Sequence, residues 1–166
     1  MSETQIDPKI SLFFTRLAAL RPGERARFKR NAGKSLAESQ QGTMGLFYRT
    51  LPSDVARYQE ETYFLTATLY PLADDGGKGS FGHALRRARQ SDNTAGLDRR
   101  IEILLDADES QLPFRLRQAL RYLAAKQVRV NWSGLLTDLL NWQNPQRFVQ
   151  ERWARDYFTD TQESAN

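Results

Sequence analysis

The stretch Leu112 to Lys126 reads LPFRLRQALRYLAAK. Its apolar residues Leu112, Leu116, Ala119, Leu120 and Leu123 recur at intervals of three and four. That spacing gathers them on one face of an α-helix and would scatter them over both faces of a strand. The same stripe forces Arg117 and Arg121, four apart, onto one exposed flank. An apolar face backed by arginine recurs along the rest of the chain.

Nearly every other segment repeats its apolar residues at three and four, and no run alternates as a half-buried strand does. The expected fold class is therefore all-α, two small packed helical bundles with no sheet. A first helix is expected over Pro8 to Leu20, with Leu12, Phe13, Leu17 and Leu20 inward. Arg21-Pro22-Gly23 breaks it. Pro22 suits the first turn of a second helix, which carries Ala26 and Phe28 inward to about Ala32 and is ended by Gly33. A short helix over Met44 to Leu51 is stopped by Pro52. Ser53 or Asp54 then caps a long one over Val55 to Tyr70, with Tyr58, Thr62, Leu65 and Leu69 on one side and Tyr63, Phe64 and Tyr70 widening the apolar face.

Pro71 to Gly79 (PLADDGGKG) has turn dipeptides and no apolar period, which marks a loop. Helical patterns follow over Ser80 to Gln90, Gly96 to Ala107, Leu112 to Lys126, Trp132 to Trp142 and Pro145 to Phe158. Short joints of this kind suit antiparallel bundles. The expected division is an N-terminal bundle over 8–79 ending in the loop, a C-terminal bundle over 80–158, and a tail over 159–166. Trp132, Leu136, Leu139, Leu140, Trp142, Phe148, Val149, Trp153 and Tyr157 read as core or as a subunit seam.

Composition narrows the function classes. The 166 residues include no Cys, which excludes disulfides and thiolate metal sites. The first residues, MSETQIDPKI, lack the basic start and apolar run of a signal peptide, and no apolar run is long enough to span a bilayer. A cytoplasmic location with no membrane contact is expected. His83 is the lone histidine and reads as a packing or hydrogen-bonding residue. Asp106, Asp108 and Glu109 sit between two helices, where an N-cap and first-turn role outweighs a magnesium site. Gly76-Gly77-Lys78-Gly79-Ser80 lacks the spacing of a phosphate loop and reads as a mobile loop whose Ser80 caps the next helix. No catalytic residue, metal or cofactor is expected.

The cations carry the signal. The net charge is only +4, yet of 24 basic residues five are Lys (Lys9, Lys29, Lys34, Lys78 and Lys126) and the other 19 are Arg. Arginine's flat five-donor fork pairs two-pronged with phosphate, although a GC-rich genome also inflates arginine. Placement separates these readings. Arg21 to Lys34 holds Arg21, Arg25, Arg27, Lys29, Arg30 and Lys34 against the single acid Glu24. Like charges three and four apart on a helix repel by a few tenths of a kcal/mol (~0.2–0.5) per pair. A helix meant only for solvation would intersperse acids.

Arg86, Arg87 and Arg89, then Arg99 and Arg100, then Arg115, Arg117 and Arg121 repeat the pattern. Asp98, Glu102 and Asp106 are positioned to neutralise Arg99 and Arg100. The last helix differs: Glu151 with Arg155 and Arg152 with Asp156 are opposite charges four apart, so it can satisfy itself. Two functions fit such faces: binding of nucleic-acid backbones, or a helical adaptor whose arginine-rich faces meet acidic protein surfaces.

Four ordered runs resemble the CasB family, the small subunit of the type I-E CRISPR Cascade complex: Phe47-Tyr48-Arg49-x-Leu51, Ser80-x-Gly82-x-Ala84-Leu85, Asp98-Arg99-Arg100-Ile101-x-x-Leu104-Leu105, and Trp132-x-x-Leu135-Leu136-x-x-Leu139-x-x-Trp142. The resemblance spans about Leu12 to Phe158. It implies a non-catalytic all-helical subunit, present in two copies stacked head to tail and contacting the large and backbone subunits. It also implies a basic surface that steadies the crRNA-guided R-loop of crRNA and target DNA, above all the displaced non-target strand. By position, Lys29, Arg30, Arg49, Arg99, Arg100 and Arg117 match basic positions of the family pattern. With the clusters above, the candidate nucleic-acid-binding residues are Arg25, Arg27, Lys29, Arg30, Lys34, Arg49, Arg86, Arg87, Arg99, Arg100, Arg117 and Arg121.

The purified chain is expected to show no nuclease, ATPase or methyltransferase activity. Metal-dependent cleavage that disappears on Asp106→Asn or Asp108→Asn would overturn this expectation.

Overall fold

A computed structural model describes residues 6–40, 42–89 and 94–159. Of the expected 159–166 tail, residues 160–166 lie outside the described residues, as does Gln90 at the end of the Ser80 to Gln90 helix. Among the described residues the chain is all-α, and the only strand-like pairing is an isolated parallel bridge between Asp75 and Val130.

Helix α1 spans Pro8–Ala18; the Asp7 carboxylate caps it by accepting the Lys9 N–H at 2.9 Å. It buries Ile10, Phe13, Phe14 and Leu17. Leu12, expected inward, is 41% exposed because the buried stripe is centred on Phe13. Helix α2 spans Pro22–Arg30, with Phe28 its one fully buried side chain; the carboxylate of Glu24 accepts the Arg21 N–H at 3.0 Å. Gly33, three residues past its end, sits at φ 84°, a left-handed conformation that favours glycine. Helix α3 spans Thr43–Thr50.

Helix α4 spans Glu60–Leu69, shorter than the expected Val55 to Tyr70. Leu51, Pro52 and Val55 are drawn into the core ahead of it, and the chain then rises through a 3₁₀ turn, Arg57–Gln59. The cap expected from Ser53 or Asp54 therefore does not form. The late start also rotates the buried face onto Tyr63, Phe64, Ala67 and Leu69 and leaves Tyr58 85% exposed, contrary to its expected core role. The buried hydroxyls of Thr66 and Thr68 donate back to the Thr62 and Leu65 carbonyls at 2.9 Å, so no polar group is stranded there. A second 3₁₀ turn, Tyr70–Leu72, accommodates Pro71.

The remaining helices are α5 (Phe81–Ala88), α6 (Ala95–Leu105), α7 (Leu112–Ala125), α8 (Trp132–Leu140) and α9 (Phe148–Phe158). Ser80 caps α5 as expected, accepting the His83 N–H at 3.2 Å, while His83 Nδ1 accepts the Ser80 N–H at the same distance. Helix α9 starts three residues later than expected. Asn144 closes a turn over Pro145 by accepting from Gln146 N and Arg147 N, and Arg147 stands at φ 55°.

The loop after Leu72 is hydrogen-bonded to the segment that leads into α8. Asp74 O accepts the Val130 N–H at 2.8 Å, Gly77 N donates to Val130 O at 3.1 Å, and Arg129 Nη1 donates to Asp75 O at 3.0 Å. A Cβ on Gly77 would lie 2.4 Å from Arg129 O, so glycine is required for that approach.

One apolar core runs from Ile10 to Tyr157. Its seam is Trp132, fully buried, whose indole N–H donates to Ala73 O at 3.1 Å and whose ring lies 5.4 Å from Tyr70 and 6.5 Å from Phe14. We propose that 8–79 and 80–158 are packing lobes that share this seam. At the far end α5 and α9 pack closely: Phe81 lies 5.0 Å from Trp153, and a Cβ on Gly82 would come within 2.3 Å of Trp153 O. Gly82→Ala is therefore expected to lower unfolding free energy by about 2 kcal/mol or more through overpacking. Gly96→Ala, with nothing within 4 Å, should be neutral or slightly stabilising, both read by chemical denaturation.

Candidate nucleic-acid interface

Fold and local chemistry sort the arginines into two groups. Several are structural props. Arg16 donates to Thr50 O and Leu51 O, and Arg147 donates to Leu105 O at 2.5 Å and faces Asp106 at 3.6 Å. Among the candidates, Arg25 lies over the Tyr70 ring at 5.1 Å. The Tyr70 phenol is raised above its ordinary pKa, mainly by burial, and Arg25 opposes that rise. Arg86 donates to Tyr157 O at 2.8 Å, and Arg87 to Lys78 O at 3.0 Å.

Helix α9 satisfies its charges differently from expectation. Arg155 does meet Glu151, at 3.3 Å. Arg152 reaches across to the buried Asp138 of α8, whose other oxygen accepts the Trp153 indole N–H at 2.8 Å. Asp156 is taken instead by the Ser80 hydroxyl at 2.6 Å and faces His83 Nε2 at 3.5 Å. The tertiary partners lie on α5 and α8, which an intrahelical spacing rule cannot see.

Asp98 does not neutralise Arg99 either; it accepts the Tyr157 hydroxyl at 2.6 Å. Burial, first, and that bond hold the Tyr157 phenol well above its ordinary pKa. Among the described residues Arg99 has no acidic partner, and Arg100 lies over the Tyr122 ring at 5.6 Å. Asp108 turns back on its own loop, accepting from Ser110 N and Gln111 N at 3.0 Å and from the Ser110 hydroxyl at 2.8 Å. The Ser110 hydroxyl, then the Gln111 N–H, hold its carboxyl below the usual carboxylate range. Asp108 thus caps the turn ahead of α7 and not the helix itself: Gln111 stands at the α7 N-cap with no side-chain cap bond and no acid lies in the first turn, so the expected N-cap and first-turn role does not form. Among the described residues no three of His, Asp or Glu gather as a metal-holding group, and no helix is long and apolar enough to cross a membrane.

The second group converges. Arg27, Arg30, Asn31, Lys34 and Gln40 line a cup of about 180 Å³ at the end of α2. Asn31, 4% exposed, builds it. Its Nδ2 donates to Arg27 O and Thr43 Oγ1, and its Oδ1 accepts the Gln40 N–H, so the return loop is stapled to the helix end. Among the described residues none of the three cations has an ion pair, and Lys29 and Arg30 are exposed.

Gly33 then seats this end of α2 on α4 and brings it beside α7. Its N–H donates to Thr68 Oγ1 at 3.3 Å, and a Cβ there would lie 3.7 Å from Arg117 Cδ. Lys34 thus belongs both to the cup and to a larger groove of about 770 Å³ that Arg117 also lines. The Nε of Arg117 is buried without a hydrogen-bond partner. Arg49, Arg86, Arg87, Arg99, Arg100 and Arg121 line neither cavity. Arg49 stands near Glu24, whose carboxyl is held low chiefly by the Arg21 N–H with a small contribution from Arg49. Asn31 and Gln40 were not legible as site residues; an Asn just past a helix reads only as a terminus until its tertiary bonds are known.

A helical core carrying a basic cup with no acidic partner among the described residues defines a small all-α protein with a locally concentrated basic surface. The family model described as CRISPR-associated protein Cse2 matches residues 24–158, and the chain belongs to that family. The CRISPR-associated protein Cse2 of Thermus thermophilus is 39% identical over 107 residues, 63% of this chain and 60% of that relative, so the match spans less than two thirds of the curated relative. The crystal structure of M. ruber CasB is 26% identical, with a TM-score of 0.77 over 97% of this chain and 98% of that one. A chain in the crystal structure of E. coli Cascade bound to a PAM-containing dsDNA target shares the fold at 18% identity. Its TM-score is 0.65 over 93% of this chain and 97% of that one.

Arg152→Ala is expected to lower stability by about 1–3 kcal/mol, because Asp138 is left buried without its cation. The loss stays below that of a fully enclosed pair because Arg152 is itself 39% exposed. Lys29→Ala with Arg30→Ala should stay within about 0.5 kcal/mol of wild type, measured by the same denaturation.

Proposed function

We propose that this chain is the non-catalytic small subunit of a CRISPR Cascade surveillance complex, holding sugar-phosphate backbones on an arginine-rich surface. Its nucleic-acid partners are crRNA and target DNA within the complex, above all the displaced non-target strand. Its protein partners are the backbone and large subunits and a second copy of itself. Family membership and the shared fold of the Cascade chain support the setting.

The observation that carries the chemistry is the cup. Arg27, Arg30 and Lys34 converge on one small cavity with no acidic partner among the described residues, and Lys34 continues it toward Arg117. Gathering like charges costs free energy in the empty protein. A phosphate offsets that cost, and each phosphate that displaces counterions makes binding salt-dependent. Nothing in the cup presents a helix to a base edge, so binding of this kind reads phosphate spacing rather than sequence.

The test is the log-log salt dependence of binding to a single-stranded oligonucleotide. Arg30→Ala, Lys34→Ala and Arg117→Ala together should flatten the slope by about two units, at ~0.7 per lost phosphate contact. An unchanged slope in the folded triple variant would sink this reading and leave the adaptor for acidic protein surfaces.

A further inference from the structure

The groove beside the cup contains two rings that the phosphate chemistry does not use. Tyr58, in the 3₁₀ turn ahead of α4, is 85% exposed, the highest value of any large apolar or aromatic side chain among the described residues. Phe114, in the first turn of α7, is 52% exposed. They come from separate parts of the sequence, yet both line the groove that holds Lys34 and Arg117. The guanidinium of Arg115 lies 5.3 Å from the Phe114 ring centre and supports one face of it. Among the described residues the Tyr58 hydroxyl has no hydrogen bond, so no internal contact accounts for a tyrosine there.

We propose that this groove is a base-stacking site for single-stranded DNA, in which unpaired bases lie on Tyr58 and Phe114 while the backbone passes along Lys34. The inference rests on the phosphate-binding role of the cup. Three observations select this occupant. First, Lys34 lines both cavities, so a strand whose phosphate sits in the cup is delivered to the groove. Second, Arg117 lines the same groove and has no ion pair among the described residues, so its guanidinium stands beside the path of the strand with donors to offer a phosphate or a base carbonyl.

Third, two of the three acids lining the groove turn their carboxylates onto the backbone of one turn. Glu61 is spent on the Leu36 N–H and Glu38 on the Ser35 N–H, both holding the turn after Lys34. Glu109 carries no such bond among the described residues and keeps phosphates toward the Lys34 end. Bases in a duplex have both faces covered by their neighbours and cannot use the rings; unpaired bases can.

The experiment uses the full chain with an oligothymidylate, an abasic oligomer of equal length, and the matching RNA. Tyr58→Ala with Phe114→Ala is expected to weaken oligothymidylate binding roughly 10- to 100-fold, leave abasic binding unchanged and keep the salt slope, because stacking releases no counterions. Tyr58→Phe with Phe114→Tyr keeps the rings and should bind as wild type. The proposal is overturned if the double alanine variant binds oligothymidylate normally or loses the abasic oligomer equally. It is likewise overturned if the variant changes only the oligomeric state, which would make the groove a seat for a second copy, or if the rings favour RNA over DNA. Failure of the wild-type chain to bind any oligomer would instead sink the phosphate reading itself.

Discussion

Trp132 stands where the two halves of the chain meet, and the surface geometry follows from how it is held. Its indole N–H has one acceptor, Ala73 O, its backbone N–H donates to Asp75 Oδ1, and its ring rests against Tyr70 and Phe14. A buried tryptophan must satisfy that N–H as well as its packing. The start of α8 is thereby fixed to α1, to the Tyr70–Leu72 turn and to the loop beyond it. Arg25 reaches Tyr70 from α2, and Gly33 carries the end of α2 onto Arg117 of α7. The cup and the groove lie along that line of contacts.

The same framework shows why arginine serves two purposes here. Where a guanidinium has a carbonyl, a ring or a carboxylate within reach, its charge is used inside the fold, as at Arg16, Arg86, Arg147 and Arg152. Where the fold gathers cations with no acid among them, as at the end of α2, the charge is not consumed by an ion pair inside the fold. A count of 19 arginines therefore overstates the number left unpaired at the surface, and a modest net charge of +4 understates the local density of cations at the end of α2.

The cup is held by groups other than its cations. Asn31 has its amide fully committed to Arg27 O, Thr43 and Gln40, so the cup is held by a buried polar staple rather than by the cations themselves. Long side chains on a fixed rim adapt to a backbone without the fold adjusting. Tyr58 and Phe114 differ again: flat, short-stemmed groups on a 3₁₀ turn and a helix, placed at the groove by elements that pack independently of them.

The sequence by itself determined the all-α class, because a period of three and four suits a helix and no run alternates, and it placed the helical segments apart from the edges of α4 and α9. It identified Ser80 as a cap and marked Trp132, Trp142, Trp153 and Tyr157 as core or subunit seam, since large rings recurring with the apolar stripe must be covered; the fold buries all four. Local spacing also collected Arg27, Arg30 and Lys34. What only the tertiary structure decided was which charges are spent. Arg152 prefers Asp138 on another helix to Asp156 on its own, and Asp98 takes Tyr157 rather than Arg99. Tyr58 points to solvent because Leu51, Pro52 and Val55 enter the core and delay α4. Helical periodicity fixes which side chains share a face, but the partner across that face comes from residues distant in sequence, and burial and ion pairing are settled there.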